Sequence, residues 1–144
     1  FAYSIIGDAA NLASRLEGQT KAYGVDILIS EEVLKRAPGF HVLELDLIRV
    51  KGKREPARIY ALIGMPEATL SPERAELQRL QSDFLALYRK GDFVAAGLAL
   101  AAAQQAAATA NWRQGYYDVM QARLHELGEV APEGWDGVYE ATSK

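Results

Sequence analysis

Tyr3-Ser4-Ile5-Ile6-Gly7-Asp8-Ala9-Ala10-Asn11-Leu12-Ala13-Ser14-Arg15-Leu16-Glu17 is the stretch on which the reading of this chain turns. Gly7 permits a sharp turn from strand to helix, since it has no Cβ to restrict the backbone. Asp8 suits the cap of the helix that follows. That helix is predicted to run to about Tyr23, with Leu12, Leu16 and the stem of Lys21 near one face, and Gly24 ends it. Asn11 and Arg15 stand four residues apart, so both side chains leave the same helix face. Taken singly these residues have ordinary structural readings. Asn11 and Arg15 would be a polar helix face, Ser4 a strand hydroxyl, and Glu17 an ion-pair partner.

Outward from this stretch, Val25-Asp26-Ile27-Leu28-Ile29 is a short β-branched run and predicts a strand. Ser30 is placed to cap a short helix, which Pro38-Gly39 ends. Residues His41 to Val50 alternate in part, with Val42, Leu43, Leu45, Leu47, Ile48 and Val50 apolar, and predict a long strand. Lys51-Gly52-Lys53-Arg54-Glu55-Pro56 is a turn, and Ala57 to Ile63 is the returning strand of a hairpin. The junction from Gly64 to Pro72 holds two prolines and a glycine and divides the chain into residues 1–66 and 67–144. Beyond it, Ser71-Pro72-Glu73 starts a helix that runs to about Arg89, burying Leu77, Leu80, Phe84, Leu87 and Tyr88. Gly91-Asp92 breaks it, and Asp92 caps a second helix from Phe93 to about Thr109. Asn111 is expected to cap a third, from Trp112 to about Leu127, ended by Gly128. Tyr88-Arg89-Lys90-Gly91-Asp92-Phe93, with Ala96 following, is similar to the turn of a tetratricopeptide repeat. The tail from Pro132 is expected to fold Trp135 and Tyr139 back onto the protein.

The 144 residues are 49% hydrophobic and carry a formal net charge of −3. That is enough apolar content for a core, and no basic surface for nucleic acid is indicated. No apolar run reaches the roughly 18 residues of a membrane span. There are no cysteines, which excludes disulfides and thiolate metal sites and fits a reducing, cytoplasmic setting. His41 and His125 lack ligand spacing and read as structural. Trp112, Tyr116 and Tyr117 read as core aromatics.

Taken together, Ser4, Gly7-Asp8, Asn11-x-x-x-Arg15, Leu16-Glu17 and Val50-Lys51-Gly52-Lys53 at hairpin distance resemble the C-terminal half of the catalytic domain of class III adenylate/guanylate cyclases. The resemblance covers about residues 1–64. It implies an α+β fold: a partial ferredoxin-like cyclase domain of helix, strands and a C-terminal β-hairpin, followed here by an α-helical hairpin or bundle extension. It implies conversion of ATP, or GTP, to the cyclic nucleotide and pyrophosphate in signal transduction. By the same resemblance, Asn11 orients the ribose and Arg15 stabilises charge developing on the transferred phosphoryl group. A guanidinium suits that role, because it stays protonated and donates in a planar fork. Lys51 reaches the triphosphate, and Ser4 reads the base. The hydroxyl of Ser4 can serve either purine, and the preference for ATP comes from the bacterial members of the family.

The family's two metal-binding aspartates, which precede the motif, have no counterpart here. Asp8, Asp26 and Asp46 do not occupy those positions. The resemblance therefore places the ligands of Mg2+ or Mn2+ upstream, along with room for a sensor or membrane segment of the parent. It implies a homodimer and leaves the fragment alone inactive, its sheet short of strands and open at an edge. The other reading of the chain is a non-catalytic interaction module, in which the C-terminal helices take a protein partner.

Overall fold

The computed structural model describes residues 22–49 and 55–140. In chain order these form β1 (Leu28–Ser30), α1 (Glu31–Arg36), β2 (His41–Arg49), β3 (Ala57–Gly64), α2 (Pro72–Lys90), α3 (Phe93–Thr109), α4 (Tyr116–Leu127) and β4 (Tyr139–Glu140). The fold is α+β, with four strands in the order β1-β3-β2-β4. β3 pairs antiparallel with β1 and β2, while β4 joins β2 in parallel through Ile48↔Tyr139 and Arg49↔Glu140. The motif helix itself lies outside the described residues. Ala22 and Tyr23 are helical, and Gly24 follows at φ +67°, where the helix is expected to stop.

The capping chemistry read from the sequence is present. Ser30 Oγ accepts from Val33 N–H at 3.2 Å, and Ser71 Oγ from Arg74 N–H at 3.1 Å, with Pro72 opening α2. Asp92 accepts from Ala95 N–H and starts α3 at Phe93. Gly91 closes α2 at φ +91°. Its N–H reaches the Tyr88 carbonyl, and the N–H of Asp92 reaches that of Leu87, which satisfies two orphan carbonyls of the helix end. An added Cβ on Gly91 would lie 3.0 Å from Ala131 Cβ. Gly91→Ala should therefore cost about 1–2 kcal/mol for the left-handed backbone alone, read as a lower urea midpoint.

Three elements differ from expectation. β1 covers only Leu28–Ser30, because the backbone before it is engaged elsewhere: Gly24 O accepts from Gly115 N–H, and Asp26 N–H donates to Gln114 Oε1. Asn111 does not cap α4, which starts at Tyr116 behind Gly115 with no side-chain cap. Asn111 instead sits at φ +56° behind α3. Its N–H reaches Ala108 O, and that of Trp112 reaches Ala107 O, the paired bonds of a left-handed helix C-terminus. Asparagine favours both positions, and here the end of α3 takes it. The tail supplies a strand, β4, and not only packed aromatics.

One buried cluster joins the sheet to the helices. Leu43, Leu45, Ile48, Ile59, Ala61 and Ile63 of the hairpin belong to it with Leu77, Phe84, Tyr88, Leu100, Tyr116 and Met120. Trp135 packs edge-on against Tyr88 and Phe93 at 5.3 and 5.2 Å between centroids, and donates its indole N–H to Tyr88 O. The outer edge of β2 is covered largely by side chains. The Val42 carbonyl accepts from Gln78, that of Glu44 from Gln81, and that of Leu45 from the Tyr116 hydroxyl. β4 then takes the last two residues of the strand. Among the described residues, this edge is therefore not a free template for another chain.

Candidate functional site

Ser4, Asn11, Arg15 and Lys51 all lie outside the described residues. The structure describes where the stretches that carry them end. Upstream, the described residues begin with helical Ala22 and Tyr23, followed by Gly24. The β2 strand runs to Arg49, two residues short of Lys51, and β3 resumes at Ala57 with Ile48 opposite Ala57.

Tyr23 and Asp46 of β2 meet in a buried polar centre. The β2–β3 register shifts by one residue between Glu44↔Tyr60 and Asp46↔Ile59, leaving Leu45 unmatched. The shift reverses the strand's alternation, so that Leu43 and Leu45 face the core before it and Asp46 and Ile48 after it. Asp46 is thereby fully buried. A buried carboxylate needs a counter-charge and donors, and both are present. Oδ2 accepts from the Tyr23 hydroxyl and from Arg123 Nη1, each at 2.6 Å, and Oδ1 accepts from Leu47 N–H at 2.9 Å. Arg123, on α4, has a side chain only 10% exposed. Its Nη1 also donates to the Tyr88 hydroxyl at 3.1 Å, and its Nη2 to that of Tyr23 at 3.3 Å. Its guanidinium carbon stands 3.7 Å from the Tyr139 ring centroid, a cation–π contact to the tail.

Beside this centre runs a neutral chain. Tyr117 donates to Gln81 Oε1, Gln81 Nε2 to the Tyr116 oxygen, and Tyr116 to Leu45 O. It ends on the carbonyl of Leu45, the residue that the register shift leaves unmatched.

Burial sets the ionisation of these groups. Loss of solvent, joined by the Asp46 charge, holds the Tyr23 hydroxyl far above the usual tyrosine value. Burial raises Tyr116, Tyr117 and Tyr88 as well. For Arg123 burial acts against the charge, but Asp46, Tyr23 and Tyr88 outweigh it and raise its pKa. The raised tyrosines give a direct expectation. Below pH 10 the phenols are neutral in both folded and unfolded chains, so stability is unaffected there. Above it the unfolded chain ionises first, and each buried tyrosine withdraws up to about 1.4 kcal/mol per pH unit until its folded form titrates. Urea midpoints should stay flat from about pH 8 to 10 and fall steeply beyond. An equally flat profile through about pH 11 would contradict the buried arrangement.

His41 donates to Ala68 O at 2.9 Å, while His125 is exposed. Among the described residues no three His, Cys, Asp or Glu side chains gather to hold a metal ion. Asp26 is an exposed partner of Gln114. No described helix is long and apolar enough to cross a membrane. The polar centre was not singled out from sequence. Its signals were an acid inside the apolar run Leu45-Asp46-Leu47-Ile48 and one arginine between Met120 and Leu124.

No protein-family model matches the chain, and no solved structure matches it. It is 48% identical over 61 residues to an adenylate cyclase of Anabaena cylindrica, a stretch that is 40% of this chain and 12% of that protein. It is 33% identical over 72 residues to adenylate cyclase 1 of Rhizobium meliloti (strain 1021), covering 49% of this chain and 11% of that protein. The chain spans a small part of the length of the curated relatives it matches. Over that part it is related to adenylate cyclases.

Proposed function

We propose that this chain is part of a class III nucleotide cyclase that forms cyclic AMP and pyrophosphate from ATP. Residues 1–66 would be the C-terminal half of its catalytic domain, and residues 67–144 a helical, tetratricopeptide-like extension. The observation that carries the reading is the 48% identity to an adenylate cyclase over 61 residues. The spacing of Asn11, Arg15 and Lys51 supports it.

In this reading the 3′-hydroxyl of the ribose attacks the α-phosphorus, and the bond to the pyrophosphate oxygen breaks. Asn11 holds the ribose, so that the attacking oxygen is already in place. Arg15 donates to the phosphoryl oxygens as negative charge gathers on them. Lys51 is a point charge for the triphosphate, and the hydroxyl of Ser4 meets the base edge. The described residues make no metal site. The Mg2+ or Mn2+ of the cyclase reading would take its ligands from elsewhere in the parent, which would act as a homodimer. The fragment alone would be inactive.

A second reading rests on α3. This helix carries no charged residue, yet Val94 is 59% and Leu98 74% exposed. A helix apolar on all sides is normally covered, which favours a protein partner at the C-terminal helices.

The deciding experiment offers ATP and GTP separately, with manganese, to the parent protein. Cyclic AMP from ATP is the expected product. A folded, dimeric parent that cyclises neither nucleotide would overturn the cyclase reading and leave the interaction module.

A further inference from the structure

We propose that Arg123, from the C-terminal helices, is a positioning residue for nucleotide cyclisation, fixing through Tyr23 and Asp46 the two stretches that carry the catalytic groups. The inference rests on the cyclase reading above. Its warrant lies in where the guanidinium reaches. Tyr23, helical with Ala22, stands eight residues after Arg15 in the sequence, and Asp46 stands on β2 five residues before Lys51. The Tyr23 hydroxyl and Arg123 Nη1 meet on the same oxygen of Asp46, each at 2.6 Å, while Arg123 Nη2 reaches back to Tyr23 at 3.3 Å. The three groups form a closed triangle, so neither the helix end nor the strand can shift without breaking two bonds. Tyr139 covers the guanidinium, and β4, to which it belongs, pairs with Ile48, three residues before Lys51.

Stability alone does not call for such a centre. A buried ion pair is commonly replaced by apolar residues of similar volume at no loss. What an apolar replacement cannot supply is a fixed direction for two chain segments. A catalytic group misplaced by about 1 Å loses on the order of 100-fold in rate. Arginine suits the task because its planar fork bonds Asp46, Tyr23 and Tyr88 at set angles, where a lysine offers one rotating ammonium. The helical extension is then part of the catalytic unit, and its movement would be felt at Arg15 and Lys51 together.

The test uses the full-length parent, with ATP and manganese, in three forms: wild type, the Asp46→Leu/Arg123→Met double variant, and Tyr23→Phe. kcat and KM are measured at a temperature where circular dichroism shows each form folded. The double variant removes both charges and leaves neither unpaired, so it is expected to fold. Its kcat should fall about 10- to 100-fold with a much smaller change in KM. Tyr23→Phe deletes one hydroxyl and should lower kcat in the same direction by less. A folded double variant with the wild-type kcat would make Arg123 merely structural and overturn the inference. Should the double variant fail to fold, Tyr23→Phe decides alone, and an unchanged kcat overturns it. A folded wild type that forms no cyclic nucleotide overturns the cyclase reading, and the inference with it.

Discussion

Asp46→Ala is expected to destabilise the protein by about 3–5 kcal/mol, the cost typical of leaving a buried charge without its partner. The side chain is fully buried and serves three donors at once: Tyr23, Arg123 and the Leu47 N–H. Its loss strands the Arg123 guanidinium where burial already opposes the charge and where the Tyr23 and Tyr88 hydroxyls are neutral partners. Since whole domains are stable by only about 5–15 kcal/mol, the variant should sit near the edge of unfolding. Arg123→Met should cost a similar amount for the converse reason, as it leaves a carboxylate in the core. Combining Arg123→Met with Asp46→Leu should recover much of both losses, and a double-mutant cycle of urea midpoints would read the coupling directly. Additive losses would show that the two side chains do not meet in solution.

The second large effect concerns Arg15. On the proposed reading, Arg15→Ala in the parent should lower kcat by about 10²- to 10³-fold, the usual cost of deleting one donor aimed at transition-state charge. ATP affinity should change far less, because the interaction strengthens as charge moves onto the phosphoryl oxygens and is weaker in the ground state. Lys51→Ala should show the opposite balance, with KM rising more than kcat falls, since a triphosphate contact is made before and during reaction. Steady-state kinetics of the two variants side by side would separate these roles. An Arg15→Ala enzyme as fast as wild type would remove Arg15 from the chemistry.

Much of the fold was legible because local chemistry and tertiary packing agree. Ser71-Pro72, Gly91-Asp92 and Gly128 bound helices that tertiary contacts also bury, and the bounds of α3 emerge as read. The misses occur where two rules compete for one residue, or where a long-range contact decides. Asn111 can cap a helix start or close a helix end, and only the packed structure chooses. A two-residue parallel strand such as β4 has no periodicity to find. The inward turn of Asp46 depends on a one-residue register shift, which the partial alternation of Val42 to Val50 hinted at but could not locate. Arg123 carries only the local signal of an arginine between Met120 and Leu124, and two of its partners, Asp46 and Tyr23, stand 77 and 100 residues away. As for the candidate site, the motif residues rest on spacing and resemblance, and they lie outside the described residues. The contacts among Tyr23, Asp46 and Arg123 are tertiary facts that no spacing reveals.

The separation between Asp46 and Arg123 also has a consequence in time. Synthesis proceeds at about 5–20 residues per second, so the 77 residues between them take about 4–15 s to make. Throughout that interval the hairpin exists with an acid on its core face and no counter-ion, a sheet that cannot yet close over its own strand. The nascent sheet must therefore wait for the C-terminal helices, and a ribosome stalled before residue 123 would hold an open chain suited to capture by chaperones.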